Sequence, residues 1–231
     1  MSMVRLAAGS LGGVVQGLYG TYQSSSDGTF NVDARDAPPL LAKGAAYLSN
    51  RSGNYTTPVA PLAATAGRII ASGALSNGTI SVSNQPDVMR QVNFVWGNGS
   101  GTVPISAGNA AITYKANDGQ SYTENVNLAV AGTGTLTHSL LRGVISISPV
   151  VLTGVVGGTT PFRRLDNTAS IAVPVDPMAQ DYVTAAEAVD GVFETGGWSD
   201  STVSIGCVSP LTAPNGTHLY SVFYNFVAPV I

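Results

Sequence analysis

The sequence predicts an all-β protein: an antiparallel β-sandwich body, immunoglobulin-like or jelly-roll-like, with an extended N-terminal arm and one or two short helices. Three observations carry that expectation. The chain of 231 residues is 44% hydrophobic but only 10% charged, where a globular domain usually carries about 25%. Ser, Thr, Asn and Gly stand where Lys and Glu would build salt-bridged helix faces, and β-branched and turn-forming residues favour strands. From Arg68 onward, short apolar runs alternate with turn signals at a spacing of about ten residues, as in a sandwich or barrel. The clearest unit is Leu75 to Trp96. There Ile80 and Val82 alternate with Ser81 and Ser83, Asn84-Gln85-Pro86-Asp87 makes a corner, and Val92, Phe94 and Trp96 alternate again.

Taken in order, residues 1–35 read as an arm. Glycines, Ser24-Ser25-Ser26 and Asp27-Gly28 interrupt it, yet Leu18, Tyr19, Tyr22, Phe30 and Val32 are too apolar for a free linker. Such a segment orders against its own body or against a neighbouring subunit. An edge hairpin around Asp27-Gly28 is the equal alternative. Asp36 to Gly44 reads as a short helix, with Asp36 as N-cap, Pro38 and Pro39 in the first turn, Leu40 and Leu41 buried and Gly44 as terminator. Pro58, Pro61 and the neighbouring alanines make an extended link. The expected boundary therefore separates an arm, 1–64, from a body, 65–231.

In the body, strands are expected at Arg68–Ala71, Thr79–Ser83 and Arg90–Trp96. Ala111–Ala116 and Ser121–Val130 form a hairpin about Asn117-Asp118-Gly119, with Tyr122, Val126 and Leu128 as its inner face. Gly134–Leu140 and Val144–Leu152 follow. Gly154–Leu165 is expected as a glycine-rich crossing, then Ser170–Val175 as a strand. Asp176-Pro177 opens a helix through Ala188, with Met178, Tyr182, Ala185 and Val189 on one face and Gly191 as stop. A strand over Tyr182–Val189 is the alternative. Thr202–Val208 and His218–Val227 close the chain.

Candidate chemistry is sparse. The two histidines, His138 and His218, and the single cysteine, Cys207, lack zinc-site spacing. Cys207 reads as a small core residue. A Ser-His-Asp triad needs only that its members meet in space, but no nucleophile elbow is present. Asn117-Asp118-Gly119 and Asp166-Asn167 could offer oxygen ligands to calcium, and turn formation explains them more simply. Glu124, flanked by Thr123 and Asn125, reads as solvent-facing. Trp96, Trp198, Tyr114, Tyr122 and Tyr224 would serve a glycan-binding face only if exposed, and packing is the expected role. Arg163-Arg164 reads as a solvated pair in a loop. The net charge of −3 is spread thinly with no basic stripe, which argues against nucleic acid. The N-terminal apolar run is broken by glycines and makes a poor signal peptide. No segment has the length of a transmembrane helix.

Several short motifs carry a resemblance to one class of protein. They are Gly78 to Val82, Asn84-Gln85-Pro86-Asp87-Val88 and Arg90 to Phe94; Asn117 to Gln120 with Thr123-Glu124; Ser201 to Gly206 before an aromatic final strand; and Asp27 to Gly44. Together they resemble the β-sandwich accessory proteins that decorate tailed-bacteriophage heads. The resemblance implies a non-enzymatic virion structural protein, made in the host cytoplasm, that cements the outer capsid. Its implied partners are the major capsid protein and further copies of itself, as a homotrimer or another homo-oligomer, with no nucleic acid, membrane, cofactor or metal. Tyr19, Tyr22, Phe30, Arg35, Leu40 and Leu41 are the expected capsid or subunit interface. A tail, neck or baseplate component, a receptor- or glycan-binding head-fibre domain, and a hydrolase using His138 or His218 are the rival readings.

Overall fold

A computed structural model describes residues 3–8, 14–16, 21–23, 29–33, 46–48, 51–174, 181–193, 199–200 and 206–227, with side chains over 55–174, 188–192 and 206–222. Among them there is no helix, and the strand pairings of known register are all antiparallel. The chain divides into two compact units. One comprises Met1–Asn54, Asp176–Ala185 and Phe223–Ile231, the other Tyr55–Val175 and Ala186–Val222.

In the first unit, β1 (Met3–Ala8) pairs with β4 (Thr29–Asp33) and β5 (Ala46–Leu48), and β2 (Val14–Gln16) pairs with β3 (Thr21–Gln23). The short helix expected over Asp36–Gly44 lies outside the described residues.

The second unit is a curled sandwich. Its strands are β7 (Thr65–Ala74), β8 (Gly78–Ile80), β9 (Arg90–Gly97), β10 (Ile105–Ala116), β11 (Ser121–Asn127), β12 (Thr135–Ser139), β13 (Val144–Ile147), β14 (Val150–Gly157) and β15 (Phe162–Ala172). One half runs β11-β10-β14-β8 and the other β12-β9-β15-β7. They join at Arg90, which pairs with Val144 of β13 on one side and Ile171 of β15 on the other. β13 and β14 run in tandem along one edge of β10, interrupted at Ser148-Pro149, where proline withholds an N–H. The sheet continues from β15 to β19 (Cys207–Ser209) and β18 (Ser199–Asp200).

Both halves feed one core. Ile69, Ile70, Val92, Phe94, Trp96 and Leu165 come from one side, and Ala110, Ile112, Tyr114, Val126, Val150 and Leu152 from the other. The expected inner face of β11 holds: Val126 and Leu128 are buried and Tyr122 packs against the cluster. Phe94 and Trp96 stack with centroids 5.4 Å apart. β9 is the most buried strand, with Val95 and Gly97 buried on its opposite face as well.

Several expectations are corrected. The strand expected over Thr79–Ser83 ends at Ile80. The half-buried Ile80 and Val82 still face the core, but Ser83 and Asn84 turn their N–H groups to the Ile69 carbonyl at 3.0 and 3.2 Å. Gln85 then takes the place of a strand. Its amide donates to the Ile147 carbonyl at 3.0 Å and accepts the Ile147 N–H at 2.8 Å. The crossing expected over Gly154–Leu165 shrinks to a short loop, since β14 runs to Gly157 and β15 begins at Phe162. Arg163-Arg164 therefore lies on a strand. Arg163 donates to the Ala71 carbonyl at 2.7 Å, and Arg164 grips Asp166 at 3.0 Å. Asp166-Asn167 also lies in β15 rather than in a loop. Asp166 accepts the Gly67 N–H at 2.6 Å and Asn167 the Thr65 N–H at 2.8 Å, both across to β7.

The helix expected through Ala188 is instead β16 (Asp181–Val189), so the strand alternative holds. Val183, Thr184 and Val189 are β-branched, and Asp190-Gly191 supplies the turn into β17 (Val192–Phe193). Asp190 sits at φ +49° and Gly191 at +82°, the positive-φ pair of a tight hairpin. In its sheet β16 lies between β17 and β20 (Tyr220–Val227), and β6 (Arg51–Thr56) is the next strand beyond β20.

Asn98 replaces a simple glycine turn with a polar hub. It is fully buried. Its amide donates to the carbonyls of Gly101 at 3.2 Å, Gly132 at 3.4 Å and Val103, and its oxygen accepts the Thr159 N–H at 2.9 Å. Three loops thus meet on one side chain. Asn98→Ala strands buried backbone groups in all three, and a loss of about 3 kcal/mol is expected. Urea denaturation measures it. A loss under about 1 kcal/mol would contradict the hub.

Candidate functional site

The densest polar chemistry lies at one rim of the sandwich, where the edge strands β11 and β12 come together. Side chains alternate along β11, so Glu124 shares the inward face with Tyr122 and Val126. Its cross-strand partner on β10 is the buried Ile112. On the opposite half, His138 of β12 stands across from the buried Phe94 of β9. Both polar side chains therefore enter the space between the two sheet halves.

They meet there. The His138 Nε2–H donates to Glu124 Oε2 at 2.7 Å. Glu124 Oε1 accepts the Tyr114 hydroxyl and, at 2.9 Å, the Leu141 backbone N–H. The Glu124 side chain is 11% exposed and that of His138 33%. Burial first, and then the hydrogen bond to Glu124, push the Tyr114 hydroxyl well above its ordinary range, so it stays protonated.

A second cluster adjoins it. Asp118 lies in the β10–β11 turn, where Gly119 adopts φ +79°. Asp118 Oδ1 accepts the Gln120 N–H at 2.8 Å and Oδ2 the Tyr122 hydroxyl at 2.6 Å. Arg142 approaches Oδ2 to 3.1 Å and lies 4.9 Å from the Tyr122 ring centroid. The hydrogen bond to Asp118 is the first cause raising the Tyr122 hydroxyl.

The arrangement holds the sheets together. A carboxylate already accepting three donors is a poor general base, because abstracting a proton would break existing bonds. Among the described residues no three His, Cys, Asp or Glu side chains are grouped to hold a metal ion. The second histidine sits apart. His218 Nδ1 bonds Asp190 at 2.6 Å, and Asp190 also accepts the Leu219 N–H at 2.8 Å. The His218 bond, then the Leu219 N–H, hold the Asp190 carboxyl below its ordinary value.

Glu124 thus corrects the expectation of a solvent-facing residue. The signal that finds it is parity: it is two residues from Tyr122 and two from Val126, both assigned inward. Trp96 is buried, its indole N–H bonded to the Leu128 carbonyl at 3.2 Å, and Tyr114 is buried too, so neither can serve an exposed glycan face. Cys207 is buried, as expected. Of the expected interface residues, Tyr19, Arg35, Leu40 and Leu41 lie outside the described residues. Tyr22 falls on β3 opposite Val15, and Phe30 on β4 opposite Leu6, but their side chains lie outside the described residues, as do those of Trp198 and Tyr224.

No family model, curated protein or solved structure matches this chain.

Two outcomes follow from the geometry. Glu124→Ala leaves the Tyr114 hydroxyl and the Leu141 N–H without their acceptor, and a loss of about 2–3 kcal/mol in urea unfolding is expected. For Asp190 the folded pKa is depressed. Its stabilisation is present above the unfolded-state value and disappears as pH falls through the folded one. Asp190→Asn should therefore be less stable than the parent at neutral pH, with the gap closing in acid. A pH series of denaturation midpoints checks the sign.

Proposed function

We propose that this protein is a non-enzymatic structural component of a phage particle that binds the outer capsid and stabilises it, acting as a homo-oligomer. The observation that carries the reading is the character of the exposed strand surface. On β10, β11 and β14 the exposed side chains are Ser106, Ala107, Ser121, Thr123, Asn125, Asn127, Val151, Thr153 and Val156, and Lys115 is the one exposed charge on those strands. The acidic groups of the rim are turned inward and saturated. A face with a single charge suits contact with another folded surface, because little ionic desolvation opposes docking. It suits a charged ligand or nucleic acid poorly.

The arm residues Tyr19, Tyr22, Phe30, Arg35, Leu40 and Leu41 are the proposed anchor, and repeated copies around a shell would add their contacts through multivalency. The partners in this reading are the major capsid protein and neighbouring copies. The resemblance of its short motifs to those of head accessory proteins supports the same assignment.

The test is co-sedimentation of the full chain with empty capsids of the phage that encodes it, alongside the native mass of the free protein. Saturable binding is expected, unchanged within a factor of a few between about 0.1 and about 1 M salt, because few charges are present to be screened. Deletion of residues 1–44 should abolish binding. Failure to bind capsids, with recovery in tail fractions, would move the protein to the tail, neck or baseplate. Loss of binding in high salt would overturn the argument from the low-charge face.

A further inference from the structure

We infer that the free edge of β11 is a self-association site: it pairs antiparallel with β11 of a second copy, joining one half of each sandwich into a continuous sheet across a two-fold axis. This deepens the proposed function by naming the copy-to-copy contact, and it rests on that reading only for the expectation of a homo-oligomer. The two sides of the sandwich treat their strand edges differently. On the side of β7 and β8 the edges are occupied. The Ile69 carbonyl of β7 accepts the Ser83 and Asn84 N–H groups, the Arg68 carbonyl accepts the Asn84 amide at 2.9 Å, and the Ala71 carbonyl accepts Arg163. β8 spans only three residues, and beside it the Asn77 side chain takes the Val155 N–H at 2.8 Å. Short strands and capped groups keep an edge from pairing with another chain.

The β11 edge carries none of these devices. It is seven residues long, lacks proline, and keeps one register with β10 from Ser121 to Asn127 without a shift. The registers of β10 with β14 and of β15 with β7 both shift. Among the described residues β10 is its only strand partner. Parity identifies the groups left over. Continuing the same register, the Ala116 N–H bonds the Gln120 carbonyl and the Leu128 N–H bonds the Gly108 carbonyl, so the even-numbered residues of β11 bond to β10. The backbone groups of Ser121, Thr123, Asn125 and Asn127 therefore point outward. All four residues are exposed and uncharged. The side chains of Thr123 and Asn125 turn back onto β10, bonding Thr113 at 2.8 Å and Asn109 at 3.3 Å, so they do not fold across the edge. Glu124, the strand's one charged residue, is committed to the interior.

A second copy is the occupant this edge fits. An edge that pairs antiparallel with itself closes as a dimer and leaves no further β11 edge to extend the sheet. Outward groups pair with outward groups, so an overlap centred on the strand puts the axis at Thr123, Glu124 or Asn125. Glu124 on the axis would set two carboxylates directly opposite each other, which is unfavourable. Thr123 or Asn125 on the axis instead pairs hydroxyls and amides across the outer face of the seam, with no charge to desolvate there.

The experiment measures the native mass of the purified full-length chain by sedimentation velocity over a dilution series, together with amide hydrogen exchange along β11. The expected result is self-association that protects the Thr123 and Asn125 amides, with the protection lost on dilution to the monomer. Asn125→Pro removes an outward N–H that the β10 ladder does not use, which an edge strand tolerates. The double variant Thr123→Lys, Asn125→Lys adds the charges by which natural edges resist pairing. Each variant, checked for a native β spectrum, should halve the native mass. Thr153→Lys, on the exposed face of β14, should leave it unchanged. A monomeric parent would overturn the inference, and so would an oligomer whose mass neither edge variant changes. β11 amides that stay protected in the monomer would show another segment of the chain covering the edge, which also overturns it. No capsid enters these measurements, so a failure of capsid binding is read separately.

Discussion

Arg90 is the constraint on which the body depends. It is fully buried, and a lone cation in that position would cost several kcal/mol. The fold meets the charge with Asp87, three residues earlier, at 2.9 Å, and with the carbonyls of Thr168 at 3.0 Å and Leu62 at 3.2 Å. Asp87 in turn accepts the Leu62 N–H at 2.7 Å. Burial lowers the Arg90 pKa and the Asp87 charge opposes that shift. Because the same residue pairs by backbone with both β13 and β15, the side chain fixes the point where one continuous sheet divides into two facing halves. The proline corner before it, the entry segment around Leu62 and the end of β15 are tied to one guanidinium.

The rest of the polar inventory follows the same logic. Asn98 closes the loops at one end, Gln85 extends a strand edge with a side chain, and Asp166 and Asn167 stitch β15 to β7. The Glu124 and Asp118 clusters stitch the remaining rim. Among the described residues most charged groups are engaged inside the body, which leaves mainly hydroxyls, amides and small apolar groups on the exposed strand faces.

The sequence made the architecture legible because period-two alternation and turn chemistry act locally. Asn117-Asp118-Gly119 announces its hairpin, and Val92, Phe94 and Trp96 announce the core face of β9. Alternation also points to Glu124, but its Thr and Asn neighbours suggest a wet strand, and only the approach of β12 makes that face an interior. Gln85 and Asn98 were not legible at all. Their partners, Ile147 and Thr159, lie far along the chain, and nothing in a glutamine before proline or an asparagine between glycines specifies them. The helix expected before Gly191 misled for a related reason. Helical spacing of apolar residues and a terminal glycine are also what a strand ending in an Asp-Gly hairpin presents.

The division of the sheet at Arg90 has a consequence for the order of assembly. β7 finds its partner only in β15, and β9 receives its flanking strands from β12, β13 and β15, all later in the chain. Between β7 and β15, the β10–β11 hairpin is the pair that closes about its own short turn. A chain emerging from the ribosome therefore carries β7 unpaired, and one edge of β9 open, until Phe162 to Ala172 has been made. Non-local pairing of this kind slows folding, since loop closure precedes its reward. During that interval the strand that becomes the most buried in the body is its most exposed apolar edge, and the arginine at its head is the group that keeps it in water.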